Sequence, residues 1–283
     1  DRPNFNPLIS HITNANAAFQ LGVETVSANA LAGCFWPGPM TLVLDRTNDC
    51  PVAMLTTAGL NKIALRVPAH EQAQKLLAIC DMPIAAPSAN PSGRISPSTA
   101  EHVYAGLAGK IDLILDGGPC ENGLESTIID CSGESPILLR PGGISRSAIE
   151  TALHSAGLHC RLRDAYPLLD HSQPIAPGQL QSHYAPDASV RLDATSQQGD
   201  EELIGFGSIL GAGQLSLSLS LSGNMQEAAA NLFSMLHQVN AVTTGTNRCI
   251  AIAPIPKDGI GEAINDRLQR AAAPRNEPSG ATK

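Results

Sequence analysis

Residues 62–93 read KIALRVPAHEQAQKLLAICDMPIAAPSANPSG. Lys62 to Val67 and Pro83 to Ala86 are short β-rich runs bounded by Pro and Asp, so both are predicted strands. Between them, His70 to Ile79 carries apolar residues at three- and four-residue spacing, which predicts a helix. Strand, helix and strand in succession are the mark of an α/β layer. The pattern continues on both sides: Met40 to Leu44, Asp112 to Leu115, Ser126 to Cys131 and Ile137 to Arg140 are predicted strands. Thr99 to Leu107 and Ser145 to Ala156 are predicted helices, the second opening at a Ser145 N-cap.

From Tyr166 to Ser189 periodicity stops and Pro167, Pro174, Pro177, Gly178 and Pro186 accumulate, as in a linker. Beyond it Val190 to Ala194, Glu202 to Phe206 and Arg248 to Ile255 read as strands, and Met225 to Val239 and Gly261 to Ala272 as amphipathic helices. The expected organisation is a first α/β domain over residues 1–165, a linker over 166–189, a smaller α/β domain over 190–273 and a disordered tail over 274–283.

Composition narrows the function. Of 283 residues 43% are hydrophobic and 16% charged, with no run of eighteen apolar residues, so a packed core is expected and a helical membrane span is not. A net charge of -8 argues against a large phosphate-backbone footprint and leaves room only for a weak, local RNA contact. The seven cysteines stand singly without a C-x-x-C pair, which signals neither zinc nor a disulfide framework and suggests a reducing, cytoplasmic setting. Residues 1–8 lack the basic start and apolar core of a signal peptide, and the opening Asp reads as the start of an internal fragment.

The densest cluster of polar donors is Ala86-Pro-Ser-Ala-Asn-Pro-Ser-Gly93, directly after a predicted buried strand. Hydroxyls, an amide and backbone N–H groups at the carboxyl end of such a strand suit phosphate oxygens, although the same composition also serves ordinary turns. Lys62, Arg66 and Arg140 on strands, with Arg2 and Arg94 in loops, would satisfy a triphosphate together; singly, each is explained by solvation or an ion pair. Trp36-Pro-Gly-Pro39 introduces an apolar run, so Trp36 either walls a pocket or packs in the core. His11, after the Asn6-Pro-Leu8 turn, is placed to orient a substrate hydroxyl or carboxylate or to serve as a structural hydrogen-bonder. No P-loop, metal-ligand spacing or G-x-S-x-G elbow is present, and the Gly205-Phe-Gly207 run lacks the helix that a dinucleotide fingerprint requires.

Six segments, taken in order, resemble the YrdC-type threonylcarbamoyl-AMP synthase family in its long, two-domain form. They are Arg2-Pro-x-x-Asn6-Pro-Leu, Trp36-Pro-Gly-Pro, Leu65-Arg66-Val-Pro, Pro87-Ser88-Ala-Asn90, Glu125-Ser126-Thr127 and Leu139-Arg140-Pro-Gly. His183-Tyr184-Ala-Pro186 resembles the linker segment of the long members, and residues 190–272 resemble their C-terminal domain. The resemblance implies a YrdC-like twisted mixed sheet with helices, plus a second, smaller Rossmann-like domain. It also implies a nucleotidyltransferase that uses ATP, with Mg2+, to convert L-threonine and bicarbonate into threonylcarbamoyl-AMP and pyrophosphate. The product would pass to a tRNA threonylcarbamoyl transferase complex for N6-threonylcarbamoyladenosine formation.

Carried over residue by residue, the K-x-R and S-x-N signature makes Arg2, Ser88 and Asn90 catalytic, with the Lys falling one residue before Asp1. ATP would be contacted by Arg2, Asn6, Lys62, Ser88, Ser96, Arg140, His183 and Tyr184. L-Threonine would be contacted by His11, Arg66, Ala86 and Ser126, and the linker would close as a lid. Two alternatives stand beside this reading: a YrdC-like module that binds RNA without chemistry, and a carbamoyl-transfer domain.

Overall fold

The structure is a computed structural model that describes residues 6–165, 176–177 and 183–274. Its described residues form two compact units, the first within Asp1–Ser88, Leu124–Gln179 and Lys257–Ala263, the second within Ala89–Gly123, Leu180–Pro256 and Ile264–Lys283. Residues 89–123 therefore cluster with the second unit, across the boundary drawn at residue 165 from the sequence. Arg2, most of the predicted linker and lid (166–175 and 178–182) and the tail residues 275–283 lie outside the described residues.

The first unit is organised by a seven-stranded mixed sheet. Its strands are β1 (Ile9–His11), β2 (Met40–Asp45), β3 (Lys62–Arg66), β4 (Ile84–Ala86), β5 (Thr127–Asp130), β6 (Ile137–Arg140) and β7 (Arg163–Asp164), in the order β4-β1-β3-β2-β5-β6-β7. β1 and β3, β2 and β5, and β6 and β7 pair in parallel, while β1 and β4, β2 and β3, and β5 and β6 are antiparallel. Helices α1 (Ala15–Leu21), α2 (Val26–Phe35), α3 (Glu71–Cys80) and α5 (Arg146–Ser155) belong to this unit, and α4 (Ala100–Leu107) to the other.

Strand alternation sorts the sheet residues onto two faces. Met40, Leu42, Leu44, Ile63, Leu65, Ile129 and Leu138 pack in one cluster with Leu31 of α2 and Ile149 and Leu153 of α5. The opposite face carries a second apolar strip of Ile9, Val43, Ala64, Ile128 and Leu139. The residues that continue this second face toward its two ends are polar.

In the second unit, β8 (Val190–Arg191), β9 (Glu202–Ile204) and β10 (Ile250–Ile252) form a parallel sheet in the order β8-β10-β9. The 19-residue α6 (Met225–Thr243) is the crossover between β9 and β10, as a parallel pair requires. Asn224 caps α6 through its side chain, accepting from the N–H groups of Gln226 and Glu227. α7 (Gly261–Ala272) matches the sequence expectation at both ends.

The predicted strand at Asp112 to Leu115 is not formed: the run joins neither sheet, and Ile111, Leu113 and Leu115 are exposed. Alternating apolar residues make a strand only where a neighbouring backbone completes the ladder. The predicted second-unit strands shorten to Val190–Arg191, Glu202–Ile204 and Ile250–Ile252, of which the last two are buried throughout. β1, β7, α1 and α2 are additions to the sequence reading; α1 and α2 start at Asn14 and Thr25, whose side chains accept from the N–H groups of Ala17 and Ala28.

Candidate active site

In the first unit, β1 and β3 bring His11 opposite Arg66. Arg140, at the end of β6, is buried, and its Nε and Nη2 donate to the Ser126 carbonyl at 3.1 and 2.9 Å. Its Nη2 also donates to Ser126 Oγ at 3.1 Å, and its Nη1 to the Pro177 carbonyl at 3.2 Å. Ser126 Oγ lies 2.7 Å from Thr41 Oγ1, so its hydroxyl is fixed from two sides. Thr41 was not singled out from the sequence, though a hydroxyl inside the apolar run Met40 to Leu44 was a legible signal.

The loops around this cluster are tightly specified. Arg66 Nε donates to the Gly38 carbonyl at 3.1 Å, and a side chain at Gly38 would fall 2.3 Å from the Phe35 carbonyl oxygen. Trp36 packs against the core and donates from Nε1 to the Met40 carbonyl at 2.7 Å, so it braces the Trp-Pro-Gly-Pro loop by the simpler of its two readings. Gly142 follows the same logic: a Cβ there would lie 2.4 Å from both Glu125 O and Thr127 N. Thr127 Oγ1 closes that loop by donating to Ile144 O and accepting from Ile144 N–H.

Electrostatics distinguish this cluster. Burial, and then the charge of Arg140, lower Arg66 to about 10, and Arg66 has no carboxylate partner among the described residues. Burial, and then the charge of Arg66, pull His11 down to about 4, so its imidazole is neutral at pH 7. Two guanidiniums, a neutral imidazole and an oriented hydroxyl on one end of a sheet face are a donor set that would suit a carboxylate or phosphate. Asn6 is buried with its Oδ1 lacking a hydrogen-bond partner among the described residues. Ala86 pairs with Ile9, two residues from His11, and Ser88 beyond it is exposed.

Lys62 does not join this cluster. It begins β3, four residues before Arg66 and about 13 Å along the strand. There its Nζ meets Asp130 Oδ2 at 2.7 Å, and Asp130 also accepts from Ser132 N–H and Oγ.

The second unit holds the other candidates. The Asn90 amide donates at 3.0 Å to the carbonyls of both Pro91 and Arg94, closing its own turn. Ala185 N–H donates to Gly93 O at 3.0 Å, and Arg94 forms an ion pair with Asp187. Ser96 is buried, and its carbonyl accepts from His237 Nε2 at 3.1 Å. His237 stacks on His102 with ring centroids 3.9 Å apart. His183 and Tyr184 are both buried, their rings edge to face at 4.1 Å.

Residues 1–142 match the Sua5, YciO and YrdC family model, whose description is telomere recombination. Residues 144–273 match the model of the threonylcarbamoyl-AMP synthase C-terminal domain. The threonylcarbamoyl-AMP synthase of Pyrococcus abyssi is 36% identical over 288 residues, covering 97% of this chain and 82% of that protein. The chain belongs to the threonylcarbamoyl-AMP synthase family. The Bacillus subtilis threonylcarbamoyl-AMP synthase is likewise 36% identical over 290 residues, covering 97% of this chain and 81% of that one. The crystal structure of P. abyssi Sua5 complexed with L-threonine superposes with a TM-score of 0.82 at 35% identity, covering 96% of this chain and 81% of that chain. The threonylcarbamoyl-AMP synthases are enzymes, and this member has their two-part α/β architecture. No helix among the described residues is long and apolar enough to cross a membrane.

Proposed function

We propose that this chain forms threonylcarbamoyl-AMP and pyrophosphate from L-threonine, bicarbonate and ATP in the cytoplasm, for transfer to tRNA by a partner complex. The carrying observation is the Arg66–Arg140 pair: Arg66 has no carboxylate partner among the described residues, and Arg140 is bonded to Ser126. Arg66 would take the threonine carboxylate, with Ser126 and the neutral His11 hydrogen-bonding the rest of the amino acid. Two nearby cations also disfavour the ammonium form, which leaves the threonine amine free to attack.

Attack of that amine on bicarbonate forms a C–N bond and releases water, giving the carbamate. A carbamate oxygen then attacks the α-phosphorus of ATP, and the bond to the β-phosphate oxygen breaks as pyrophosphate leaves. Such a transfer depends on positioning and charge stabilisation, so no side-chain nucleophile is needed. Arg140 would stabilise the phosphates, with Asn6, Ser88, Ser96, His183 and Tyr184 as further ATP contacts and Arg2, Ser88 and Asn90 as the signature residues. Lys62 enters this set only if ATP draws it from Asp130.

Mg2+ would accompany ATP, bound through the nucleotide's phosphates. The domains that carry these roles are proposed as a catalytic domain over 1–165 and a C-terminal domain over 190–273. The test is pyrophosphate release from ATP with threonine and bicarbonate present together or omitted singly, using this chain and one extended upstream through the signature Lys. Release that requires all three substrates supports the reading; a release that ignores threonine or bicarbonate, or none from either chain, contradicts it.

A further inference from the structure

Thr41 stands at the centre of a row of residues that crosses the sheet of the first unit. At one end of the row His11 pairs with Arg66. The register that sets Leu42 against Leu65 and Val43 against Ala64 brings Thr41 opposite Arg66. On its other side Thr41 pairs with Ile128, and Ile128 with Arg140. Thr41 has no exposed surface, and Ser126, two residues before Ile128 and on the same face, is 1% exposed.

Hydrogen counting gives the Thr41–Ser126 contact a direction. The two hydroxyl oxygens are 2.7 Å apart, and only one hydrogen lies between them. Ser126 Oγ already accepts from Arg140 Nη2 at 3.1 Å, while Thr41 Oγ1 bonds only to Ser126 among the described residues. If Ser126 donated to Thr41, the Thr41 hydrogen would be left without an acceptor inside a fully buried strand, at the full cost of its desolvation. If Thr41 donates to Ser126, both lone pairs of Ser126 Oγ are occupied, and the hydrogen still to be placed is that of Ser126. A ligand oxygen beside Arg66 can accept it, and a hydroxyl that already accepts two hydrogen bonds is a stronger donor.

We infer that Thr41 is a positioning residue for the amino-acid substrate: by donating to Ser126 it makes the Ser126 hydroxyl a fixed hydrogen-bond donor to an oxygen of threonine. The inference rests on the reading above, in which Ser126 contacts threonine. With both lone pairs engaged, Ser126 cannot accept from the threonine amine, which is left to bicarbonate. Arg66 and Ser126 then both present hydrogens, and the amino acid is held by its oxygens.

Threonine and ATP affinities, measured by calorimetric titration, test it in Ser126→Ala, Thr41→Val, Thr41→Ser and the double variant of Thr41→Val with Ser126→Ala. Ser126→Ala should weaken threonine about tenfold, the size of one hydrogen bond. Thr41→Val keeps the side chain's shape and removes its hydroxyl; it should weaken threonine about threefold, with ATP affinity unchanged. Thr41→Ser should restore threonine affinity, and the double variant should be no weaker than Ser126→Ala alone. Unchanged or tighter threonine binding in Thr41→Val, beside a loss in Ser126→Ala, would overturn the inference alone, because Ser126 would then have been donating to Thr41. A loss in Thr41→Val larger than that in Ser126→Ala would overturn it by making Thr41 itself the ligand contact. A loss shared equally by ATP would overturn it as a general structural effect. Wild-type threonine affinity in Ser126→Ala would remove the reading of Ser126 as a threonine contact and the inference with it. Should Thr41→Val fail to fold, Thr41→Ala set against Thr41→Ser carries the same comparison.

Discussion

The polar face of the seven-stranded sheet has two ends, and they treat charge in opposite ways. At one end Lys62 faces Asp130, whose remaining capacity is filled by Ser132, so the cation is balanced within the fold. At the other, Arg66 and Arg140 stand close enough for one to lower the pKa of the other, and Arg66 has no carboxylate partner among the described residues. A balanced pair is explained by folding alone. Arg66, half-buried and crowded by a second guanidinium, opposes folding and would be explained by an anion that arrives later. Both ends carry strand-borne cations in the sequence, and only the counter-charge distinguishes them.

The largest expected effect is at Arg140. Arg140→Ala removes donors to the buried Ser126 carbonyl and hydroxyl and to Pro177, which should cost about 1–3 kcal/mol of stability. It should also weaken ATP by more than it weakens threonine; equal losses in titrations of both ligands would remove its assignment to the phosphates. Asp130→Asn probes the balanced end. Lys62 is about a third exposed, so the lost pair should cost no more than about 1 kcal/mol in chemical denaturation and leave threonine affinity untouched. A marked fall in threonine affinity would break the contrast between the two ends.

How far this contrast could be read from the sequence depends on chain distance. Lys62 and Arg66 stand at the two ends of an alternating strand, so a shared face is legible in the period of two. The partner of Lys62 lies 68 residues away on β5, and nothing local in the sequence announces it. In the loop at residues 86–93, whose composition suggested a phosphate cradle, the Asn90 amide also closes its own turn onto Pro91 and Arg94, a local use that the composition does not announce. Helices α1 and α2 escaped notice because they are short and rich in Ala, which marks no face as strongly apolar, although their Asn14 and Thr25 caps were visible.

A smaller effect should appear with acid. His11 is held near 4 in the folded chain against 6.5 when exposed, so the unfolded chain binds the extra proton first. Its contribution to stability is therefore complete above pH 6.5 and is lost as pH falls from 6.5 toward 4. His237, held near 4 by burial and by stacked His102, adds a loss of the same sign in the second unit. Denaturation at pH 7 and pH 5 should show His11→Asn flattening part of this dependence; an unchanged slope would mean that the crowded end carries no electrostatic strain at His11.

The two ends are compared most directly by titrating threonine into Arg66→Met and Lys62→Met while recording both thermal midpoints. Arg66→Met should lose about 10- to 100-fold in threonine affinity, as expected for a charge-assisted hydrogen bond. The same substitution should raise the midpoint by about 2–4 °C through relief of like-charge crowding. Lys62→Met should bind threonine normally and melt at or below the parent temperature. Wild-type threonine affinity in Arg66→Met, or a midpoint that falls there as it does in Lys62→Met, would contradict the view that the Arg66 end is kept charged for its ligand.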